Sequence, residues 1–169
     1  MTLPVLLTPL GFGPVQLRLS EATTVLALFT PAAIPGLALG ALIANSFMLS
    51  QFGLIALFDV VFGALGSLLG AGWMWRFRER RLLALAGPVI SNALIVPAYL
   101  PFVLAGLGFY EFAPLGIDVE GNWIGMYLFG VVAVGIGQAI VVYGLGLPLA
   151  VALERTGLKQ WFVGESRKS

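Results

Sequence analysis

The sequence predicts an all-α integral membrane protein, a helical bundle of five to six transmembrane helices, and three observations lead to this prediction. Of the 169 residues, 59% are hydrophobic and only 10% are charged. The mean hydropathy is +0.99, whereas a soluble domain carries about a quarter charged residues. Several apolar runs reach the roughly 20 residues that an α-helix needs to cross a bilayer. We therefore expect one transmembrane domain over residues 1–169.

Three segments are long and apolar enough to cross a membrane outright: 54–75, 82–107 and 123–153. The earlier apolar run, 22–49, is interrupted by Pro31 and Pro35, which remove backbone donors and disfavour a continuous helix. We expect a short helix from about residue 20 to 29, a turn, and a second helix to about residue 49.

The distribution of charged residues predicts the orientation. Four arginines lie in the stretch 76–81 and further basic residues follow residue 153, whereas the loop 108–122 has acidic residues and no basic ones. The positive-inside rule places both basic stretches, and with them the C-terminus, in the cytoplasm of a multi-pass protein of the cell membrane. Counting back, only residues 1–9 remain for a first helix. Either that helix is truncated or the protein has five membrane helices.

Polar side chains in apolar segments are the first candidates for a binding site, because such groups are costly in lipid and by default mark function. The candidates at depth are Asn45, Asp59, Asn92 and Gln138. We expect them to line one cavity that opens to the outside. The alternative is that the amides only form hydrogen bonds between helices, and that Asp59 caps its helix or pairs with Arg18.

Small residues at helical spacing support an inward orientation of Asp59. Gly63, Gly66 and Gly70 follow it on the same helix face, and Gly36, Gly40 and Ala44 form a similar stripe on the preceding helix. Both stripes predict close approach of neighbouring helices.

The N-terminal stretch "GPVQLRLSEA" contains four further polar residues, Gln16, Arg18, Ser20 and Glu21. The alternation with apolar residues predicts an extended segment, Ser20 is a suitable N-cap, and Glu21 suits the first turn of a helix. We favour a role for Gln16, Arg18 and Glu21 in binding a planar polar ligand. The alternative is an Arg18–Glu21 ion pair that holds the segment to the bundle. Glu111, between aromatic residues of the outer loop, is a candidate for a lid over the cavity.

Several function classes are disfavoured by what the sequence lacks. There is no cysteine and no histidine, and the net charge is +1, so we expect no metal site and no nucleic-acid partner. No phosphate-binding loop, H-E-x-x-H or G-x-S-x-G motif occurs. We expect no enzyme, no catalytic residue and no cofactor in this chain. A small bundle with a polar cavity and no ATPase indicates a binding subunit that depends on partners; the alternative is a structural membrane subunit.

Five stretches within residues 11–153 occur in a characteristic order: "FGPVQLRLSEA", "TPAAIPGLALGALIAN", "LFDVVFGALGSLLGA", "PVISNALIVP" and "VGIGQAIVVYGLGLPL". Through them the chain resembles the QueT family, the substrate-specific (S) components of energy-coupling factor (ECF) transporters. The resemblance implies six helices, an outward-facing substrate site, and uptake of a queuosine precursor of the 7-deazaguanine type. The alternative within transport is another vitamin-like molecule.

The same resemblance implies partners and roles for particular residues. ATP would be used by two partner ATPases, coupled through a separate transmembrane protein. Gln16 and Asn92 suit the amide and amine edges of such a base, and Glu21 and Asp59 suit donors or a cationic aminomethyl group. At residue 138, where many relatives have glutamate, this chain has glutamine, which predicts one negative charge fewer in the pocket.

Overall fold

The computed structural model describes residues 19–47, 49–106, 111–112, 117–118 and 122–156. The elements, in chain order, are a first 3₁₀ helix (Leu19–Leu28), α1 (Ala33–Ser46), α2 (Leu49–Phe52), a second 3₁₀ helix (Gly53–Ala56), α3 (Leu57–Arg76), α4 (Arg81–Gly106), β1 (Glu111–Phe112), β2 (Ile117–Asp118), α5 (Trp123–Val141), a π-helical turn (Val142–Gly146) and α6 (Leu147–Arg155).

The described chain has three helical segments that are long and apolar enough to cross a membrane: Gly53–Arg76, Arg81–Tyr99 and Trp123–Arg155, with 24, 19 and 33 residues. They agree with the three spans predicted from the sequence. Helix α1 is apolar but shorter, with 14 residues. The architecture is that of an all-α membrane bundle, and its only described strands pair Glu111 with Asp118 and Phe112 with Ile117 in a short antiparallel hairpin.

Helices α3 and α4 run antiparallel and pack closely through glycines. A Cβ atom on Gly70 would lie 2.8 Å from Cα of Pro88, and one on Gly87 would lie 2.8 Å from the carbonyl oxygen of Gly70. The Ser91 hydroxyl donates to the carbonyl of Gly66 at 3.0 Å. The predicted inward face of α3 is therefore confirmed, because its small residues are the places where α4 approaches.

The stripe of small residues on α1 does not make the close helix contact that the sequence predicted. Within the described chain, a Cβ atom on Gly36 or Gly40 would meet nothing within 4 Å, and both residues are exposed. These two glycines do not mediate a contact with the described helices. A small-residue spacing is the same whichever way the face points, so the sequence alone could not distinguish the two stripes.

The predicted break between residues 29 and 33 is confirmed, but the helix before it is a 3₁₀ helix that begins at Leu19. Ser20 therefore lies inside the first turn instead of preceding it as an N-cap. Its carbonyl accepts a hydrogen bond from the Thr23 hydroxyl. Glu21 lies in the first turn, as predicted.

Helix α5 passes into α6 through the π-helical turn, which ends two residues before Pro148. In this turn the N–H of Leu147 bonds to the carbonyl of Val142, five residues earlier. The turn packs on the first 3₁₀ helix, where a Cβ atom on Gly146 would lie 2.9 Å from Cγ1 of Val25.

One end of the bundle contains an apolar core beside the arginine-rich turn between α3 and α4; we call it the basic end. Its buried residues come from five elements and from the turn after the first 3₁₀ helix, which contains Phe29: Val25, Ala27, Phe29, Ala71, Met74, Ala84, Leu85, Val142 and Ala150. At its surface, Nη2 of Arg81 lies 2.8 and 2.7 Å from the two carboxylate oxygens of Glu154. The Arg78 guanidinium lies over the Trp75 ring, 4.0 Å from its centroid.

Candidate functional site

Asp59 lies in the first turn of α3, at the opposite end of that helix from the arginine-rich turn, and is held by two neighbouring helices. The Asn45 amide on α1 donates to the Asp59 carbonyl at 2.8 Å. The Tyr99 hydroxyl on α4 donates to Asp59 Oδ1 at 2.5 Å. Asn45 and Tyr99 are buried. We call Asn45, Asp59 and Tyr99 the polar triad.

The Asn45 side chain reaches Asp59 because glycine leaves room for it. A Cβ atom on Gly63 would lie 2.5 Å from Asn45 Nδ2. Asn45 therefore forms the interhelical hydrogen bond that was the alternative interpretation of this residue. The Asp59 side chain, in contrast, faces α4 through Tyr99, so its predicted orientation into the bundle is confirmed.

Aromatic rings surround the polar triad. Phe62 and Tyr99 stack with centroids 5.6 Å apart, and Phe58 lies 6.4 Å from Tyr99 and 6.2 Å from Phe62. Phe58 and Phe62 remain 41% and 38% exposed. Sequence reasoning did not identify Phe58 as part of the site. The signal was present, since Phe58 and Phe62 are one helical turn apart and both flank Asp59.

Asn92 lies deeper in the same interface. Tyr99 and Asn92 are seven residues apart on α4, which places them on one face with an axial separation of about 10.5 Å. The Asn92 side chain packs on α3, where a Cβ atom on Gly66 would lie 2.5 Å from Oδ1. Asn92 is 3% exposed, and within the described chain its Nδ2 has no hydrogen-bond partner.

Gln138 lies on the buried face of α5, with Val134 and Val141 as neighbours on that face. It is 2% exposed, and its Oε1 has no partner among the described residues. A buried amide atom left without a hydrogen bond costs about 1–3 kcal/mol. At these two atoms, Asn92 and Gln138 therefore lack the interhelical hydrogen bonds that a purely structural role would require.

Glu21, on the first 3₁₀ helix, is 7% exposed. The helix is placed by its contact with the π-helical turn, and it also packs on α3 and α5. The Thr24 hydroxyl donates to the Glu21 carbonyl at 2.6 Å. The first 3₁₀ helix thus places a buried acid within the bundle, and the predicted role of Glu21 in ligand binding stays a prediction.

The structure does not describe the side chains of the remaining predicted site residues. Gln16 and Arg18 lie outside the described residues, so their roles and the Arg18 pairing alternatives stay predictions. Glu111 is placed only by its backbone, opposite Asp118 in the hairpin, and the predicted lid stays a prediction. Among the described residues no group of three His, Cys, Asp or Glu could hold a metal ion.

The described candidates therefore form two levels. The polar triad and its aromatic rings form the outer level, and Asn92 and Gln138 form the deeper one. Helix α4 contributes to both levels through Tyr99 and Asn92. Such an arrangement can offer a carboxylate and stacking surfaces to one part of a ligand and amide groups to another.

An apolar helical bundle with polar side chains held at depth is typical of membrane transport proteins. Comparison with protein families supports this class and makes it specific: the QueT transporter family matches residues 1–155. The chain belongs to the QueT transporter family. The comparisons with curated proteins and with solved structures each found no match.

Proposed function

We propose that the chain is the substrate-binding membrane subunit, or S component, of an ECF-type transporter. In this role it takes up a queuosine precursor of the 7-deazaguanine type from outside. A transmembrane coupling protein and two ATPases supply the energy, and the chain itself performs no catalysis. Its C-terminus and arginine-rich turn lie on the cytoplasmic side, where the positive-inside rule places basic residues.

The observation that carries this proposal is the group of polar side chains on packed helices, of which Glu21, Asn92 and Gln138 are buried and Asp59 is half-buried. Stable membrane helices do not require such groups, since each is costly to remove from water. A ligand with several donors and acceptors would offset that cost. Stacking on Phe58 and Phe62 favours a planar ligand, and Glu21 and Asp59 favour one with donors or a positive charge.

Partner-dependent transport agrees with the sequence, which has no phosphate-binding loop of its own. Uptake would then require the partner proteins to change the position of the bundle in the membrane. We expect the purified chain to bind the base without transporting it.

Thermal stabilisation of the detergent-solubilised protein by 7-aminomethyl-7-deazaguanine tests the proposal. A ligand that binds only the folded state stabilises it by about 2.7 kcal/mol at a hundredfold excess over its dissociation constant. We expect a saturable rise in the melting temperature. Riboflavin and biotin serve as comparison ligands from the vitamin-like alternative.

Variants of two acids, the buried Glu21 and the half-buried Asp59, make the test specific. Glu21→Gln and Asp59→Asn should weaken the stabilisation, and Arg18→Ala should weaken it if the N-terminal stretch binds ligand as predicted. Glu79→Gln is the matched control, because Glu79 is an exposed acid in the arginine-rich turn. A structural membrane subunit would show no stabilisation with any of the three ligands.

A further inference from the structure

Two unpaired amide atoms at the deeper level have opposite hydrogen-bonding character. Asn92 Nδ2 is a donor and Gln138 Oε1 is an acceptor, and within the described chain neither has a partner. Both side chains are more than nine-tenths buried. Because they do not bond to each other, a third group must lie between or beside them for both to be satisfied.

The packing of α4 on α5 places the two residues at similar depth. A Cβ atom on Gly135 would lie 3.6 Å from Cβ of Ala93, which fixes the register of these antiparallel helices. Asn92 is one residue from Ala93, and Gln138 is three residues beyond Gly135. With a rise of 1.5 Å per residue, the two residues differ in depth by only about 3 Å.

A ligand that satisfies both atoms must present an acceptor beside a donor. A lactam, a ring C=O next to a ring N–H, has this pattern. A carboxylate offers only acceptors and would leave Gln138 Oε1 unsatisfied. A ring nitrogen beside an exocyclic amino group also offers an acceptor beside a donor, but a base bound through that edge would bind equally well with its lactam replaced by a methoxy group. We propose that Asn92 and Gln138 together bind the lactam edge of the ligand, with Asn92 donating to the carbonyl oxygen and Gln138 accepting from the ring N–H.

This inference rests on the proposed function and adds an orientation to it. Asn45 does not serve the same purpose, because its amide already donates to the Asp59 carbonyl. The lactam edge would lie at the deeper level, and the opposite side of the base would lie towards Asp59 and the aromatic rings. An uncharged amide at residue 138 suits a neutral N–H donor.

The test compares two ligands that differ only at the lactam edge, 7-aminomethyl-7-deazaguanine and its 6-methoxy analogue, which has one additional methyl group. In the analogue the ring nitrogen carries no hydrogen and the carbonyl is replaced by an ether. Equilibrium binding of each ligand would be measured on the full-length wild-type chain and on the Asn92→Leu and Gln138→Met variants, which keep similar side-chain volumes. Ser67→Ala is the matched control, because Ser67 is buried and its hydroxyl bonds within α3 to the Gly63 carbonyl.

We expect wild-type protein and Ser67→Ala to bind the lactam at least about tenfold more tightly than the methoxy analogue, since a site built for a hydrogen bond rejects a ligand that lacks it. Each of the other two variants should reduce this ratio to less than about threefold by losing affinity for the lactam.

The possible failures separate the two proposals. If wild-type protein binds neither ligand, the proposed substrate is wrong. If it binds both equally, or if both variants keep the wild-type ratio, the substrate stands and the lactam assignment is wrong. A wild-type ratio near one overturns the lactam assignment even where a variant does not fold, because it requires no substitution. A buried water bridging the two amides would give equal binding and unchanged ratios.

Discussion

The two ends of the α3–α4 pair differ in the polarity and the exposure of their side chains. At the basic end, Met74 and Leu85 are fully buried in an apolar core that contains side chains from five elements. At the other end, Asp59 and Tyr99 meet through a hydrogen bond while Phe58 and Phe62 stay partly exposed. The same two helices therefore pack through apolar side chains at one end, and at the other end they carry a polar contact beside partly exposed aromatic rings. We therefore expect substitutions at the basic end to affect stability and substitutions at the other end to affect binding.

The largest effect should come from obstructing the helix contact near the basic end. Gly70→Ala would place a Cβ atom 2.8 Å from the Pro88 backbone, which cannot rotate away. We expect a loss of about 2–3 kcal/mol in the free energy of unfolding, measured in mixed micelles, because overpacking forces the helices apart.

Gly72→Ala is the control for that experiment. A Cβ atom on Gly72 would meet nothing within 4 Å of it in the described chain. Alanine should be neutral or stabilising by about 0.5–1 kcal/mol, as in a helix interior. Equal losses in the two variants would contradict the close packing of α3 on α4.

The next effect should appear in binding and not in folding. Asp59→Asn keeps the shape of the side chain and removes its charge. We expect the affinity for 7-aminomethyl-7-deazaguanine to fall at least about tenfold, about 1.4 kcal/mol, with little change in the melting temperature of the free protein. If the melting temperature drops while the affinity is unchanged, the role of Asp59 is to stabilise the fold and not to bind the ligand.

Asn45 should show the reverse behaviour. Its amide bonds to a backbone carbonyl of α3, so Asn45→Ala removes an interhelical hydrogen bond and leaves the Asp59 carboxylate in place. We expect a loss of about 1 kcal/mol in the free energy of unfolding and a change of less than about threefold in affinity. A large loss of affinity at constant stability would move Asn45 into the ligand site.

The smallest effect should come from the ion pair at the surface of the basic end. Arg81 and Glu154 are 40% and 33% exposed in their side chains, so solvent screens their attraction. A double-mutant cycle with Arg81→Ala and Glu154→Ala should give a coupling energy of about 0.2–1 kcal/mol that decreases with salt. A coupling above about 2 kcal/mol, insensitive to salt, would show that the pair is a main link between the helix ends.

Sequence patterns predicted the parts of the fold that depend on local composition. The three spans follow from uninterrupted apolar length, and the break before α1 follows from Pro31 and Pro35. The inward face of α3 follows from the spacing of Asp59 with three glycines. These features are encoded in consecutive or regularly spaced residues, so no knowledge of the neighbours was needed.

Features that depend on a partner element were not accessible in the same way. The 3₁₀ form of Leu19–Leu28 and the π-helical turn are backbone adjustments of two elements that pack on each other at Gly146. The outward face of Gly36 and Gly40 and the hydrogen bond from Tyr99 to Asp59 depend on which helix lies opposite. For the site, the residue types at depth were predictable. The order of the spans also predicted that Asn92 and Gln138 lie nearer the middle of the membrane than Asn45 and Asp59, whereas the stacking of Phe58 on Tyr99 required the packed helices.

An experimental structure of the chain with bound 7-aminomethyl-7-deazaguanine tests most directly whether the buried polar side chains face one ligand. We expect the base between Asp59 and the Asn92–Gln138 pair, with its lactam edge at the deeper level and one ring face near Phe62. A base bound elsewhere, with Asn92 and Gln138 turned towards separate surfaces, would contradict a shared substrate site.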